Sequence, residues 1–235
     1  MKRLFTSDEI RIHLTRFVWG FLTQNVEPRT AQPKRKGGEC AFFKVYLIAG
    51  LGNPGPKYRN TRHNIGFNII NSWCRSLNLT MQGKRFQSRN ARMHYQGKDI
   101  IMVRPMTFMN KSGESINAFV RSYGVQLEDI LIIHDDIDLQ VGKIKVVRGG
   151  GAGGHRGVLS ITHYLGSHAF PRVKIGVGRP RHGESIENFV LNPFYGDEKD
   201  IIKSVIPLAV EACDMFISKG IESTMNYINS QNFAN

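Results

Sequence analysis

The chain has 235 residues, and 32 lysines and arginines against 19 acids give it a formal net charge of +13. A hydrophobic fraction of 41% with 10% aromatic residues fills a packed core and excludes disordered or fibrous classes. The basic balance selects an anionic partner, nucleic acid before a membrane surface, and no apolar run approaches the ~20 residues of a membrane-spanning helix. Cys40, Cys74 and Cys213 are odd in number, widely spaced and lack a C-x-x-C pair, which argues for a reducing compartment without a disulfide frame or zinc ribbon.

Residues 1–43 read as a peripheral N-terminal extension. Ser7 caps a short helix over 8–22, with Ile10, Leu14, Phe17, Val18 and Phe21 at helical spacing. The polar stretch 24–39, with Pro28, Pro33, Gly37 and Gly38, then reads as a linker. Arg3, Arg11 and Arg16 suit an organellar targeting peptide, against which Asp8, Glu9 and the scarcity of serine weigh. A natural start near Val45 is a third reading, and a non-essential extension ranks first.

The segment 44–64, KVYLIAGLGNPGPKYRNTRHN, opens the main domain, 44–235. Residues 45–49 form a buried strand that stops at Gly50. The loop beyond it carries Asn53, Tyr58, Arg59, Arg62 and His63, and in open α/β sheets ligands bind past such strand ends. Gly50, Gly52 and Gly55 fit the dinucleotide fingerprint G-x-G-x-x-G, but Pro54 and Pro56 oppose the helix that the fingerprint needs. The required acid is also missing, since no Asp or Glu occurs between Cys40 and Lys98. Ten lysines and arginines lie in that same stretch, so one third of the fold is cationic.

A helix follows over 65–77, then strands over 86–95 and 99–103. Ser112 is placed to N-cap a helix through Ile116, Phe119, Val120 and Tyr123. The apolar strand 129–134 ends at Asp135, Asp136 and Asp138, and a further strand covers 143–148. The glycine loop 149–157, GGGAGGHRG, enters a helix over 158–165. It has His155 and Arg156 where a phosphate-binding P-loop has Lys and Ser or Thr. A strand over 172–177, an amphipathic helix over 197–219 and the segment 222–228 complete the chain. Alternating strands and helices imply an α/β fold, expected as a single-domain three-layer sandwich with a mixed, mainly parallel sheet and helices on both faces.

No metal-binding spacing and no nucleophile motif appears. A histidine, an acid and several amides remain. If the strands ending near His63 and Asp135 are neighbours, the carboxylate can orient the imidazole, which then takes a proton from water. Asn53 and Asn110 can donate to a developing oxyanion. On pattern alone His63 serves equally as a structural histidine, and Asp135 as a turn residue.

The motifs GLGNPGPKY, TRHNIGF, RPMTFMN-SGES, IIHDDIDL-GKIK, GGGAGGH-G, and RVKIGVGRP with NFVLNPF occur in the order that marks one family. From Val45 onward the chain resembles bacterial-type peptidyl-tRNA hydrolase. The resemblance implies cleavage of the ester between a peptide, or an N-blocked amino acid, and the 3′-terminal ribose of tRNA. It implies His63 as general base, Asp135 as its orienting partner and Asn53 as the residue distinguishing blocked from free aminoacyl groups. Tyr58, Phe108 and Asn110 then match substrate-site positions, and Arg156, which departs from the asparagine the family usually has there, is read as gripping a phosphate or ribose oxygen of the tRNA end. Lys143, Lys145, Arg148, Arg172 and Lys174 are either phosphate contacts to the acceptor stem or a solvated basic face. A cytoplasmic, monomeric enzyme with no metal or cofactor is expected, organellar if residues 1–43 direct it. The rival is a non-catalytic RNA-binding relative, similar to plant organellar splicing factors.

Overall fold

The computed structural model describes residues 44–95 and 97–231, so the extension read over 1–43 lies outside the described residues. Seven strands form one sheet in the order β2-β3-β4-β1-β5-β7-β6. β4 (Lys98–Pro105), β1 (Lys44–Gly50), β5 (Ile130–Asp136) and β7 (Arg172–Gly176) run parallel at its centre. β3 (Ser88–Tyr95) and β2 (Gly83–Arg85) continue antiparallel on one side, and β6 (Ile144–Val147) on the other. Central parallel strands are covered on both faces, which is why β1 and β5 read as unbroken apolar runs and are buried along most of their length.

Side chains alternate across a strand, so each strand feeds two cores. Ile48, Leu131 and Ile133 face Ile65, Ile69 and Trp73 of α1 (Ile65–Ser76) and Ile202, Ala209 and Phe216 of α5 (Lys199–Ser230). Their neighbours Leu47, Ala49, Ile130 and Ile132 face Ile116 and Phe119 of α2 (Ser112–Tyr123) and Val158 and Ile161 of α3 (Arg156–Leu165). The expected three layers follow. A short α4 (Ile186–Leu191) packs Phe189 and Val190 on Val177 beyond the end of β7.

Two local expectations are corrected. The strand expected from residue 86 begins at Ser88, because Phe86 and Gln87, at φ 48° and 52°, form a two-residue hairpin turn from β2. Ser112 does not cap α2: a 3₁₀ turn, Met109–Lys111, runs directly into the helix, so Ser112 is its buried first residue. The boundary read between 219 and 222 holds: α5 is broken at Gly220, where φ is 79° and ψ is 175°, and a second helical stretch runs on from there to Ser230. Among the described residues no helix is long and apolar enough to cross a membrane.

Candidate active site

The site is built by a tight junction between β1 and α1. A Cβ on Gly50 would stand 2.1 Å from the carbonyl oxygen of Gly66, and one on Gly66 would stand 2.5 Å from the Ile133 carbonyl oxygen. Two glycines thus allow the first turn of α1 to rest on the ends of β1 and β5. The residues just before that turn, including His63, are thereby carried over the carboxyl end of β5, where Asp135 lies. Asn64 fixes the loop between: its Oδ1 accepts from the Asn53 backbone N–H at 2.7 Å and its Nδ2 donates to the Asn53 carbonyl at 3.0 Å. Asn53 Oδ1 accepts from the Met109 N–H at 2.8 Å, which turns the NH₂ of that amide toward the cleft.

His63 Nδ1 lies 2.9 Å from both Oδ1 and Oδ2 of Asp135. A carboxylate only accepts, so Nδ1 carries the proton and Nε2 is left as a lone pair toward the cleft. A second histidine shares the carboxylate, with His155 Nε2 donating to Asp135 Oδ1 at 3.0 Å. The tautomer of His155 is set from the other side, because its Nδ1 accepts from the Val158 N–H at 3.3 Å as the N-cap of α3. His134 lies beneath, fully buried, donating from Nδ1 to the Asp135 carbonyl at 2.7 Å, with its ring 4.7 Å from that of His155. Burial pushes the Asp135 carboxyl upward, but His63 and His155, by charge and hydrogen bond together, outweigh it and hold the group well below the usual carboxylate range. Burial, reinforced by His155, pushes His134 well below the usual imidazole range, so it stays neutral.

Donor atoms of His63, Asp135 and His155 lie within 4.8 Å of one another, a spacing a metal could use. The tautomers argue otherwise. Val158 places the proton of His155 on Nε2, the atom facing the carboxylate, and a protonated nitrogen has no lone pair for a cation. The three side chains therefore form a hydrogen-bonded relay.

A cleft of about 710 Å³ opens above this relay. Phe108, Ile186, Val190 and Leu191 form an apolar wall, and Asn53, Asn110, Lys174 and Arg156 supply polar groups. Phe108, Ile186 and Leu191 are exposed apolar side chains, available to a ligand. Of the residues expected in the site, His63, Asp135, Asn53, Phe108, Asn110, Arg156 and Lys174 converge here. Arg156 and Lys174 are already ion-paired, with Glu187 and Asp136 respectively. Tyr58 is not among the lining residues. It sits half-buried in the turn Pro56–Tyr58, with the Lys57 ammonium 4.8 Å from its ring.

The expected phosphate contacts divide. Ile144, Val146, Val173 and Ile175 face α5, so the register partners Lys145 and Lys174 project together on the opposite face of the sheet. Lys143 is exposed just before β6. Arg148 is on the α5 side, paired with Glu222. Arg172 is a correction: it is 2% exposed, and its guanidinium donates to the carbonyls of Gly151 at 2.9 Å and Gly150 at 2.7 Å. It anchors the glycine loop and cannot reach a phosphate. Arg62, carried by the ligand loop, is likewise fully buried. It holds the carbonyls of Phe189, Asn192 and Pro193 and the Glu198 carboxylate, and thereby secures α4 against the loop. Sequence reasoning missed His155 and the apolar face of α4. The first stands one residue past the glycine pair of GGH, and the second has too few residues for periodicity to register.

A mixed α/β sandwich with a carboxylate-held imidazole at the carboxyl end of its parallel strands has the make-up of a hydrolase that works with water. Residues 47–235 match the family model described as peptidyl-tRNA hydrolase. The chain is 42% identical over 183 residues to the peptidyl-tRNA hydrolase of Halalkalibacterium halodurans, covering 78% of this chain and 99% of that one. It is 38% identical over 187 residues to that of Bacillus subtilis, covering 80% and 100% respectively. The crystal structure of peptidyl-tRNA hydrolase from Acinetobacter baumannii matches with a TM-score of 0.76 at 33% identity, covering 84% of this chain and all of that one. The chain belongs to the peptidyl-tRNA hydrolase family.

Proposed function

We propose that this protein hydrolyses the ester joining a peptide, or an N-blocked amino acid, to the 3′-terminal ribose of tRNA. The observation that carries the proposal is the His63–Asp135 pair, its free Nε2 directed to a cleft large enough for a peptide and a terminal nucleotide. His63 Nε2 takes a proton from water as the oxygen attacks the ester carbonyl. The acyl–oxygen bond to the ribose then breaks, and the proton passes from His63 to the departing 3′-oxygen. Asp135 holds the tautomer and stabilises the imidazolium between those steps. Asn53 and Asn110 donate to the carbonyl oxygen as it gains charge. An ester is reactive enough for this with neither cofactor nor nucleophilic side chain.

Selectivity for blocked substrates follows from Asn53. The NH₂ that it turns toward the cleft can donate to the first peptide carbonyl. A free aminoacyl group presents an ammonium there instead, a donor against a donor and a charge to be desolvated. The apolar wall of Phe108 and α4 suits peptide side chains. Lys145 and Lys174, with Lys143 beside them, suit backbone phosphates of the acceptor stem, and Arg156 suits the 3′ end once it leaves Glu187. The enzyme works as a cytoplasmic monomer in this reading. A non-catalytic RNA binder is not favoured, because the relatives are named as hydrolases and the histidine–aspartate pair is intact. The test incubates N-acetylaminoacyl-tRNA and its unblocked counterpart with the protein. Release from the blocked form alone is expected, and tight tRNA binding without release would overturn the proposal.

A further inference from the structure

The edge of the sheet farthest from β6 carries a row of cations that the proposed chemistry does not use. Lys84 of β2 pairs in register with Arg89 of β3, and Arg89 pairs with Arg104 of β4. Directly opposed residues share a face, so three positive side chains stand side by side across three adjacent strands. Like charges directly opposed in a sheet are destabilising. Here no acid relieves them: among the described residues, none of the three is in an ion pair. Arg104 Nη1 donates to the neutral Oδ1 of Asn71 at 2.9 Å, and its Nε is buried with no partner. Burial lowers the pKa of Arg104; Cys74 acts in the opposite direction, and Arg89 alongside adds a smaller push downward.

The row is close to the cleft loop. Arg104 lies at the carboxyl end of β4, which runs parallel to β1. Its guanidinium is 5.1 Å from the Phe67 ring centroid, and that ring closes on Gly52, where a Cβ would stand 2.7 Å away. Asn53 is the next residue. Two guanidinia and an ammonium in one row fit phosphate, which guanidinium binds with two parallel hydrogen bonds.

We propose that Lys84, Arg89 and Arg104 form a second phosphate-binding site for the RNA backbone, on the opposite side of the β1–β4 junction from Lys145 and Lys174. It rests on the tRNA substrate read above and adds a contact surface that grips the substrate from a second side.

The test measures binding of deacylated full-length tRNA to the whole protein across a salt series, for the wild type and for Lys84→Gln/Arg89→Gln. Both positions have side chains at least partly exposed, and a melting curve checks the fold of the variant. The variant is expected to bind about tenfold more weakly at low salt, with a log–log salt slope shallower by about 1–2, one per lost phosphate contact. Affinity and slope equal to those of the wild type would overturn the proposal. So would loss of poly-glutamate binding with tRNA binding unchanged, which would assign the row to an acidic protein. If the wild type itself releases nothing from N-acetylaminoacyl-tRNA, it is the hydrolase reading that fails, and the binding comparison still stands apart from it.

Discussion

Replacing Asp135 by asparagine tests the relay with almost no change of shape. The carboxylate is 2% exposed and receives three close contacts: His63 Nδ1 at 2.9 Å to each oxygen and His155 Nε2 at 3.0 Å to Oδ1. An amide has one acceptor and one donor side. With its oxygen in the Oδ1 place, the NH₂ faces His63 Nδ1 and favours the tautomer that puts the proton on Nε2, where a base needs a lone pair. With its oxygen in the Oδ2 place, the NH₂ opposes the His155 N–H. The charge that steadies an imidazolium is lost in both orientations. At about 4 Å and an effective dielectric near 20 that interaction is worth about 4 kcal/mol. At about 1.4 kcal/mol per tenfold, kcat should fall by roughly 10²–10⁴, the usual range for a positioned base. Steady-state release of N-acetyl amino acid from N-acetylaminoacyl-tRNA, followed up to saturating substrate, measures kcat and KM separately. A variant within about threefold of the wild-type rate, or one changed only in KM, would refute the relay.

Arg172→Met removes both donors that hold the Gly150 and Gly151 carbonyls. The glycine loop should then release His155, and kcat should fall roughly ten- to a hundredfold by misplacement, with Arg172→Lys recovering part of the loss. Gly66→Ala puts a Cβ against three backbone atoms, the Ile133 oxygen at 2.5 Å and the Leu51 nitrogen and oxygen at 2.5 and 2.6 Å. Backbone cannot yield as a side chain does, so a loss near about 3 kcal/mol is expected, read from a denaturant melt. Asp214 accepts from Trp73 Nε1 at 2.8 Å, and burial raises its pKa from 3.8 to about 6. A carboxyl raised on folding costs stability as pH climbs from the unfolded to the folded value. Asp214→Asn, which keeps the acceptor, should therefore stabilise the protein at pH 7 by up to about 3 kcal/mol, and the gain should vanish below about pH 4.

The parallel strands were legible because covered strands must be apolar throughout, and β1 and β5 show it. The pairing of His63 with Asp135 was legible for a related reason: each residue closes or follows a central strand, and those strands are neighbours in the sheet. Cations were the weak point. A sequence shows that an arginine is charged but not whether it turns inward, and Arg62 and Arg172 do. Their carbonyl partners come from Phe189 to Pro193 and from Gly150 and Gly151, segments brought near only by folding. His155 was hidden likewise, because its role depends on how the first turn of α3 meets the end of β5. The break in α5 at Gly220 was legible as the gap between the helix read over 197–219 and the segment 222–228, because a glycine there admits a backbone conformation that no helix continues through.

The central claim is that the imidazole of His63 activates the attacking water. It is tested most directly by His63→Ala, comparing single-turnover cleavage of N-acetylaminoacyl-tRNA with binding of deacylated tRNA in the same preparation. A rate lower by about 10²–10⁴ with tRNA affinity within about threefold of the wild type is the expected result. Cleavage at close to the wild-type rate would contradict it.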